Sequence, residues 1–330
     1  MNDRIVAHLK SAKAGDPQVY RNIVIFPMTG TIEGDLDYLT LGEALESRLL
    51  TVTEVTAGGS VPELKVTNSA DKPVLLLDGE ELAGAKQNRV LNTTVLVPAK
   101  QSVVIPVSCT EQGRWAYSTD AFFASGHLMA HSIRARKNQS VSESLTTDAS
   151  FRSNQGEVWE GIAELQSAAK SPSPTSAMRD VFEAHSGSLD EAIKAFPLVP
   201  GQIGLLAVID GQTAGFDLVS RAAAYGHLHG KLLKSYVMDG LVAKKKKGKS
   251  EAEVTTQAAH AFVERAIQCE EKTFKSVGMG DDYRFKGEKI GGSALVHQTV
   301  VIHTAFFQLD SGKTEGHMSG LNRRSAYRVY

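Results

Sequence analysis

Apolar and polar positions in this 330-residue chain follow one period in the first third, another in the middle, and both in the last third. The first third reads as short apolar runs between turn residues. Asn22 to Pro27 (NIVIFP) is one, closed by a proline. Thr51 to Thr56 (TVTEVT) is another, alternating and rich in the β-branched residues that suit a pleated surface. Glu63 to Thr67, Pro73 to Asp78, Val90 to Val97 and Val103 to Cys109 continue the series. Strands this closely spaced predict antiparallel pairing, because a parallel crossover needs about a dozen residues or more. One helix interrupts them. Thr40-Leu-Gly-Glu43 has the spacing of a capping box and predicts helix over about 41–50.

From about Asp120 to Ala195 the spacing becomes helical. Val158, Ile162, Leu165 and Ala169 fall on one helix face, and Ser171-Pro-Ser-Pro174 breaks that helix. Helix resumes near Ala177, and Pro197 and Pro200 end the region. Further on, Ile203 to Ile209 and Gln212 to Phe216 flank Asp210-Gly211, a pair that favours the type I′ turn of a hairpin. Leu218, Ala222, Tyr225, Leu228, Leu232 and Tyr236 then form a helical stripe. The basic run Lys244 to Lys249 reads as a solvated loop, with helix after it over about Glu251 to Phe274. Arg284-Phe285 and Ser293 to Phe307 read as strands, and the polar tail after Asp310 as loose.

The pattern predicts an α+β fold: mainly antiparallel sheet from the N- and C-terminal thirds, with helices from the middle packed against it. Strands near Ala294 to Phe307 would otherwise need a core of their own. The chain therefore reads as one composite domain over 1–330, softly subdivided near 120.

Composition narrows the class. Hydrophobic content of 42% and charged content of 22% fit an ordinary globular protein. A net charge of −1 supplies no global field for nucleic acid or an anionic membrane. Cys109 and Cys269 are too few for a disulfide framework and suit a reducing cytoplasm. The start of the chain lacks the apolar core of a signal peptide, and no stretch approaches the ~18 apolar residues of a membrane helix.

The chemistry concentrates between Asp78 and Trp115, where a dense polar set interrupts apolar runs. Lys86, Gln87, Asn88 and Arg89 suit a phosphate or carboxylate: the guanidinium offers a fork of donors and the amides fix orientation. A charged edge strand would show the same residues. Glu80 and Glu81 alternate, so only one of them can share a strand face with Lys86. Arg114 and Trp115 offer a guanidinium beside an aromatic plane. Cys109 reads as a core residue rather than a nucleophile, since no histidine stands near it in sequence. His127 and His131 have helical zinc spacing but no third ligand, so no metal site is expected there. Asp281 and Asp282 follow a glycine turn. The sequence leaves open whether they hold Mg2+ or a ribose diol, or only cap a loop.

The run GEEL-x-GAKQNRVLNTTVL followed by IPVSC-x-EQGRW resembles one family. It is the prokaryotic domain family of uncharacterised biochemistry named for its association with ADP-ribosylglycohydrolases and rhodanese/phosphatase-superfamily proteins. GLLAVIDGQTAGFDL, KLLKSYVMDGL and GMGDDYRFKGEKIGGSALV resemble its later blocks, so the likeness spans about 22–307. The resemblance implies a role near NAD and ADP-ribose metabolism. The expectation is a cytoplasmic enzyme or ligand sensor for a nucleotide or ADP-ribose-like, phosphate-bearing small molecule. Lys86, Gln87, Asn88, Arg89, Asn92, Arg114 and Trp115 would bind it, and Glu80 and Glu111 would act on it. The alternative is a non-catalytic module that accompanies ADP-ribose-processing partners, with no membrane or nucleic-acid role indicated.

Overall fold

A computed structural model of the chain describes residues 1–30, 34, 36–56, 58–59, 62–243 and 256–309. Its architecture is α+β. The largest sheet takes its strands from both ends of the chain. Lys13–Ala14, Gln18–Tyr20 and Ile23–Thr29 join Gln202–Ile209, which continues into Gln212–Val219, Val300–Gln308, Ile290–His297, Asp281–Gly287 and Glu270–Lys275. All of these pairings are antiparallel.

Alternation along the strands explains why both faces of this sheet are covered. Ile23 and Ile25 face one core with Leu205 and Ala207, and there the helix Ala222–Val242 lays down Tyr225, Leu228, Leu232 and Tyr236. Phe26 and Met28 face the other with Leu206 and Val208, against Ile5 and Leu9 of Asp3–Ser11 and Phe262 of Thr256–Ile267. Asp210 and Gly211 take φ of 49° and 71°, the left-handed pair that the Asp-Gly turn requires.

Most strands of the first third build sheets of their own. Six run in the order Phe122–Leu128, Glu80–Gly84, Arg89–Leu91, Ser102–Cys109, Glu63–Asn68 and Leu50–Glu54. Three more, Val95–Val97, Val74–Leu76 and Leu39–Thr40, form a small sheet whose last pair is parallel. The Thr40 capping box forms as expected, with Thr40 Oγ1 accepting from Glu43 N and Glu43 Oε2 accepting from Thr40 N.

The structure amends several boundaries. The helix expected to reach Leu50 ends at Glu46, and Leu50 opens the strand Leu50–Glu54; Leu218, expected on the helical stripe, lies in the strand Gln212–Val219. Val90 to Val97 is two strands in two sheets, because Asn92, Thr93 and Thr94 turn into buried side-chain hydrogen bonds. The helical middle begins later than Asp120, since Phe122–Leu128 is a strand. The helix expected to reach Phe274 ends at Ile267, and Glu270–Lys275 becomes a charged edge strand paired on one side only. The basic run from Lys244 and the tail after Asp310 lie outside the described residues.

A buried ionic network lies where the sheets meet. Arg134, on the helix His131–Asp148, bonds Asp217 of the large sheet through Nη1 and Nη2 at 3.0 and 2.7 Å, and Asp78 through Nε at 3.2 Å. Lys137 pairs with Asp78 as well. His303 Nε2 and the Tyr236 hydroxyl reach Asp217 at 3.1 and 2.7 Å, and Thr94 bonds the other His303 nitrogen. Beside them Arg284 holds Asp282 at 2.5 Å, with Thr93 bridging at 2.7 Å. Burial alone would raise the Asp217 carboxyl. The charge of Arg134 and the hydrogen bonds from His303 and Arg134 overcome it and hold the group far below its usual range.

Candidate functional site

Lys86, Gln87 and Asn88 form the turn between the strands Glu80–Gly84 and Arg89–Leu91, in which Leu82 stands opposite Arg89. Arg89 is in turn opposite Cys109. The turn is held from within by Arg114. Its Nη1 donates to Ala85 O at 2.6 Å and Ala116 O at 2.9 Å; its Nη2 donates to Glu111 Oε2 at 2.6 Å and Asn88 Oδ1 at 3.2 Å. Glu111 also takes the Asn88 amide at 3.1 Å and the Thr175 hydroxyl at 2.9 Å. Burial works against the Glu111 carboxylate, but these donors together hold its pKa below the usual value.

On the outer side of this frame a different group converges. Lys86 Nζ donates to Gly58 O at 2.6 Å and lies 5.2 and 5.1 Å from the centres of the Trp115 and Tyr117 rings. The Arg89 guanidinium is 5.8 Å from the Trp115 ring centre. Trp115 and Tyr117 are about half exposed, whereas Arg89 is fully buried. Arg89 Nη1 donates to Gln87 Oε1 at 2.8 Å and the guanidinium also faces the Cys109 sulfur, yet its Nε and Nη2 have no oxygen or nitrogen acceptor among the described residues. Burial draws its pKa down, while Cys109 and Glu54 push it back up. Glu54, at the end of the strand Leu50–Glu54, buries both carboxylate oxygens, again without a donor among the described residues. A Cβ built on Gly59 would stand 3.2 Å from Lys86 Cδ, 3.4 Å from the Trp115 ring and 3.5 Å from Glu54 Oε2. Lys86, Trp115 and Glu54 therefore surround one point.

Cys109 is buried beside them, and burial raises its thiol pKa. That environment suits a core thiol rather than a thiolate nucleophile.

The sequence-derived residues thus separate into three groups. Lys86, Gln87, Arg89 and Trp115 come together. Asn88, Glu111 and Arg114 shape the turn beneath them. Glu80 and Asn92 point elsewhere: Glu80 accepts from Lys231 at 2.8 Å and from the Leu77 amide at 2.7 Å, and Asn92 bonds Phe151 O and Ser108. Asp281 pairs with Lys275, and Asp282 is taken up by Arg284 and Thr93. Among the described residues, no three His, Cys, Asp or Glu side chains group as a metal would need.

Glu54 escaped the sequence reading. The alternation of TVTEVT was its only signal, and that pattern does not distinguish an outward acid from one turned into a site.

Fold and site together define the class: an α+β protein of antiparallel sheets whose polar hairpin turn gathers a buried guanidinium, a carboxylate and exposed aromatic rings. Residues 11–307 match the ARPP-1 family model, the ARG and Rhodanese-Phosphatase-superfamily-associated Protein domain, and the chain belongs to that family. The family is associated with ADP-ribosylglycohydrolases and rhodanese/phosphatase-superfamily proteins. No curated protein and no solved structure matches the chain. No helix among the described residues is long and apolar enough to cross a membrane.

Proposed function

We propose that this protein binds a ribonucleotide or ADP-ribose-like ligand at the Lys86–Trp115 turn and serves ADP-ribose-processing proteins. One observation carries the reading: beyond the Cys109 sulfur, the buried Arg89 guanidinium keeps two donors without an oxygen or nitrogen acceptor, in the field of a Glu54 carboxylate whose oxygens also lack partners among the described residues. Buried polar groups are ordinarily satisfied, so a coincidence of unmet donors and acceptors points to a missing polar partner. A ribose phosphate answers both. Its phosphate accepts from Arg89 and Lys86, its diol donates to Glu54, and its base stacks on Trp115 or Tyr117. Arg114 and Glu111 position the turn.

The test is a thermal-shift series with ADP-ribose, NAD and AMP, each with and without Mg2+. Bound ligand raises the melting temperature by mass action. Arg89→Ala should abolish the shift, losing a charge-assisted hydrogen bond of about 1.5–3 kcal/mol. A large fall in ligand-free melting temperature with ligand shifts unchanged would make Arg89 structural and sink the site.

The exposed rings of Trp115 and Tyr117 favour a second reading, in which the same turn docks a protein partner without catalysis. Trp115→Ala would then abolish co-elution with an ADP-ribosylglycohydrolase while every nucleotide shift stays absent.

A further inference from the structure

On the opposite face of the strand that leads into this turn, the sheet opens. The strand Phe122–Leu128 pairs with Glu80–Gly84, but the register breaks: Ala124 faces Leu82 and Leu128 faces Glu80. Ser125, Gly126 and His127 therefore stand opposite the single residue Glu81. Such bulges bend a strand and re-aim its side chains, and they recur beside binding sites. Gly126 has φ of +81°, and a Cβ there would meet nothing within 4 Å, so the bulge borders open space.

Glu81 lies beneath it, 1% exposed. Its Oε1 accepts from the Thr110 hydroxyl at 2.8 Å, and the Ser125 hydroxyl of the bulge also acts on the carboxyl; its Oε2 is buried with no donor in full hydrogen-bond geometry among the described residues. His127 Nδ1 is likewise buried without a partner among them, with its ring 5.0 Å from that of Phe182. Two helices bring cations to the bulge. Lys231 and Lys234 come from Ala222–Val242, and Arg179 comes from Met178–Ala184. Lys231 holds Glu80 at 2.8 Å and Arg179 holds Glu183 at 2.5 Å. Glu111 is the remaining acid that acts on Glu81. Burial lowers the His127 pKa to about 4, and Lys234, Arg179 and Lys231 add to that effect, so the ring is neutral at pH 7. Burial likewise pushes the Glu81 carboxyl up to about 7, so near neutrality about half of the molecules hold a proton there that can be donated.

We infer that this bulge is a second ligand site, one for a phosphate group, with Lys231, Lys234 and Arg179 supplying positive charge and Glu81 and His127 supplying the directed hydrogen bonds. The preference for phosphate follows from the two unmet atoms. A protonated Glu81 donates, and an oxyanion oxygen accepts. His127 Nδ1 accepts or donates according to its tautomer, and a phosphate carrying its own hydroxyl satisfies either form. Sulfate, fully ionised, cannot donate. The site faces away from Arg89 and does not depend on the ligand proposed for the Trp115 face.

The test is calorimetric titration near pH 7 with inorganic phosphate, ribose 5-phosphate and sulfate, on an Arg89→Ala background that silences the first site. Inorganic phosphate should bind at least tenfold tighter than sulfate. If the natural ligand is an organic monoester, ribose 5-phosphate should bind tighter still. Lys234→Ala should weaken phosphate at least tenfold, and His127→Phe, which removes the ring nitrogen, should cut the preference for phosphate over sulfate. Equal binding of phosphate and sulfate, or phosphate binding indifferent to Lys234→Ala, overturns the proposal. Should Arg89→Ala fail to fold, Trp115→Ala gives the same background, and loss of all phosphate binding there would also overturn it.

Discussion

Glu81 shows at the scale of one residue how burial sets chemistry. A carboxyl raised from the usual 4.5 to about 7 holds its proton more tightly in the folded than in the unfolded chain. Its contribution to stability is complete below pH 4.5 and is lost as pH rises through 7, a difference of about 3 kcal/mol. Glu81→Gln cannot ionise. Relative to the parent, it should gain about 3 kcal/mol between pH 4.5 and 8, measured by urea denaturation across that range. Parallel stability curves would show that Glu81 ionises normally. The sequence narrowed the choice to one of Glu80 and Glu81 per face, because strand neighbours point opposite ways, but it could not show which faced a cation. Lys231, on a helix 151 residues away in sequence, answers Glu80 and leaves Glu81 for the bulge. Lys86, Arg89 and Trp115 were legible because polar residues stood out against apolar runs. Glu54 was not, because one acid in an alternating strand carries no mark.

At the scale of elements, local signals survived where the chain decides its own conformation. The Thr40 capping box, the Asp210-Gly211 turn and the helical stripe from Val158 to Leu165 all formed, since each rests on residues within about one helical turn or hairpin. Glu80–Gly84, Phe122–Leu128 and Glu270–Lys275 lack apolar alternation. Their pairing is fixed by distant partners, so periodicity missed them. Close approach between elements was equally invisible. Gly278 lies against the small sheet, where Met279 N donates to Leu96 O at 2.8 Å and a Cβ on Gly278 would come within 2.3 Å of that oxygen. Gly278→Ala should therefore push the loop off the strand Val95–Val97 and cost about 1–3 kcal/mol. Gly230, inside the helix Ala222–Val242, has nothing within 4 Å of its would-be Cβ. Gly230→Ala should instead stabilise by about 0.5–1 kcal/mol, as helix propensity favours alanine. Denaturation midpoints of the two variants should move in opposite directions; movement in the same direction would refute the contrast.

At the scale of the molecule, the ionic network between the sheets determines whether the chain behaves as one unit. Asp78, Asp217 and Asp282 are balanced by Arg134, Lys137 and Arg284, all at most 3% exposed. Their residues come from the first-third hairpins, the middle helix and the large sheet, so no part can leave without stranding a charge in another. A buried pair adds little net stability against apolar packing, but breaking one side of it is costly. Arg134→Met would leave Asp217 with only His303 and Tyr236, and Asp78 with Lys137. It should destabilise the protein by about 3–5 kcal/mol. Adding Asp217→Asn removes the stranded charge, so the double variant should lose less than the sum of the two single losses. Because the network spans the sheets, that loss should reach both ends of the architecture. Hydrogen exchange should place the slow amides of Ser102–Cys109 and Val300–Gln308 in one class, and Arg134→Met should lower both by the same amount. If the Ser102–Cys109 amides fell while those of Val300–Gln308 kept their protection, the first third would be opening by itself. The composite unit proposed from the sequence would then be two domains that share an interface.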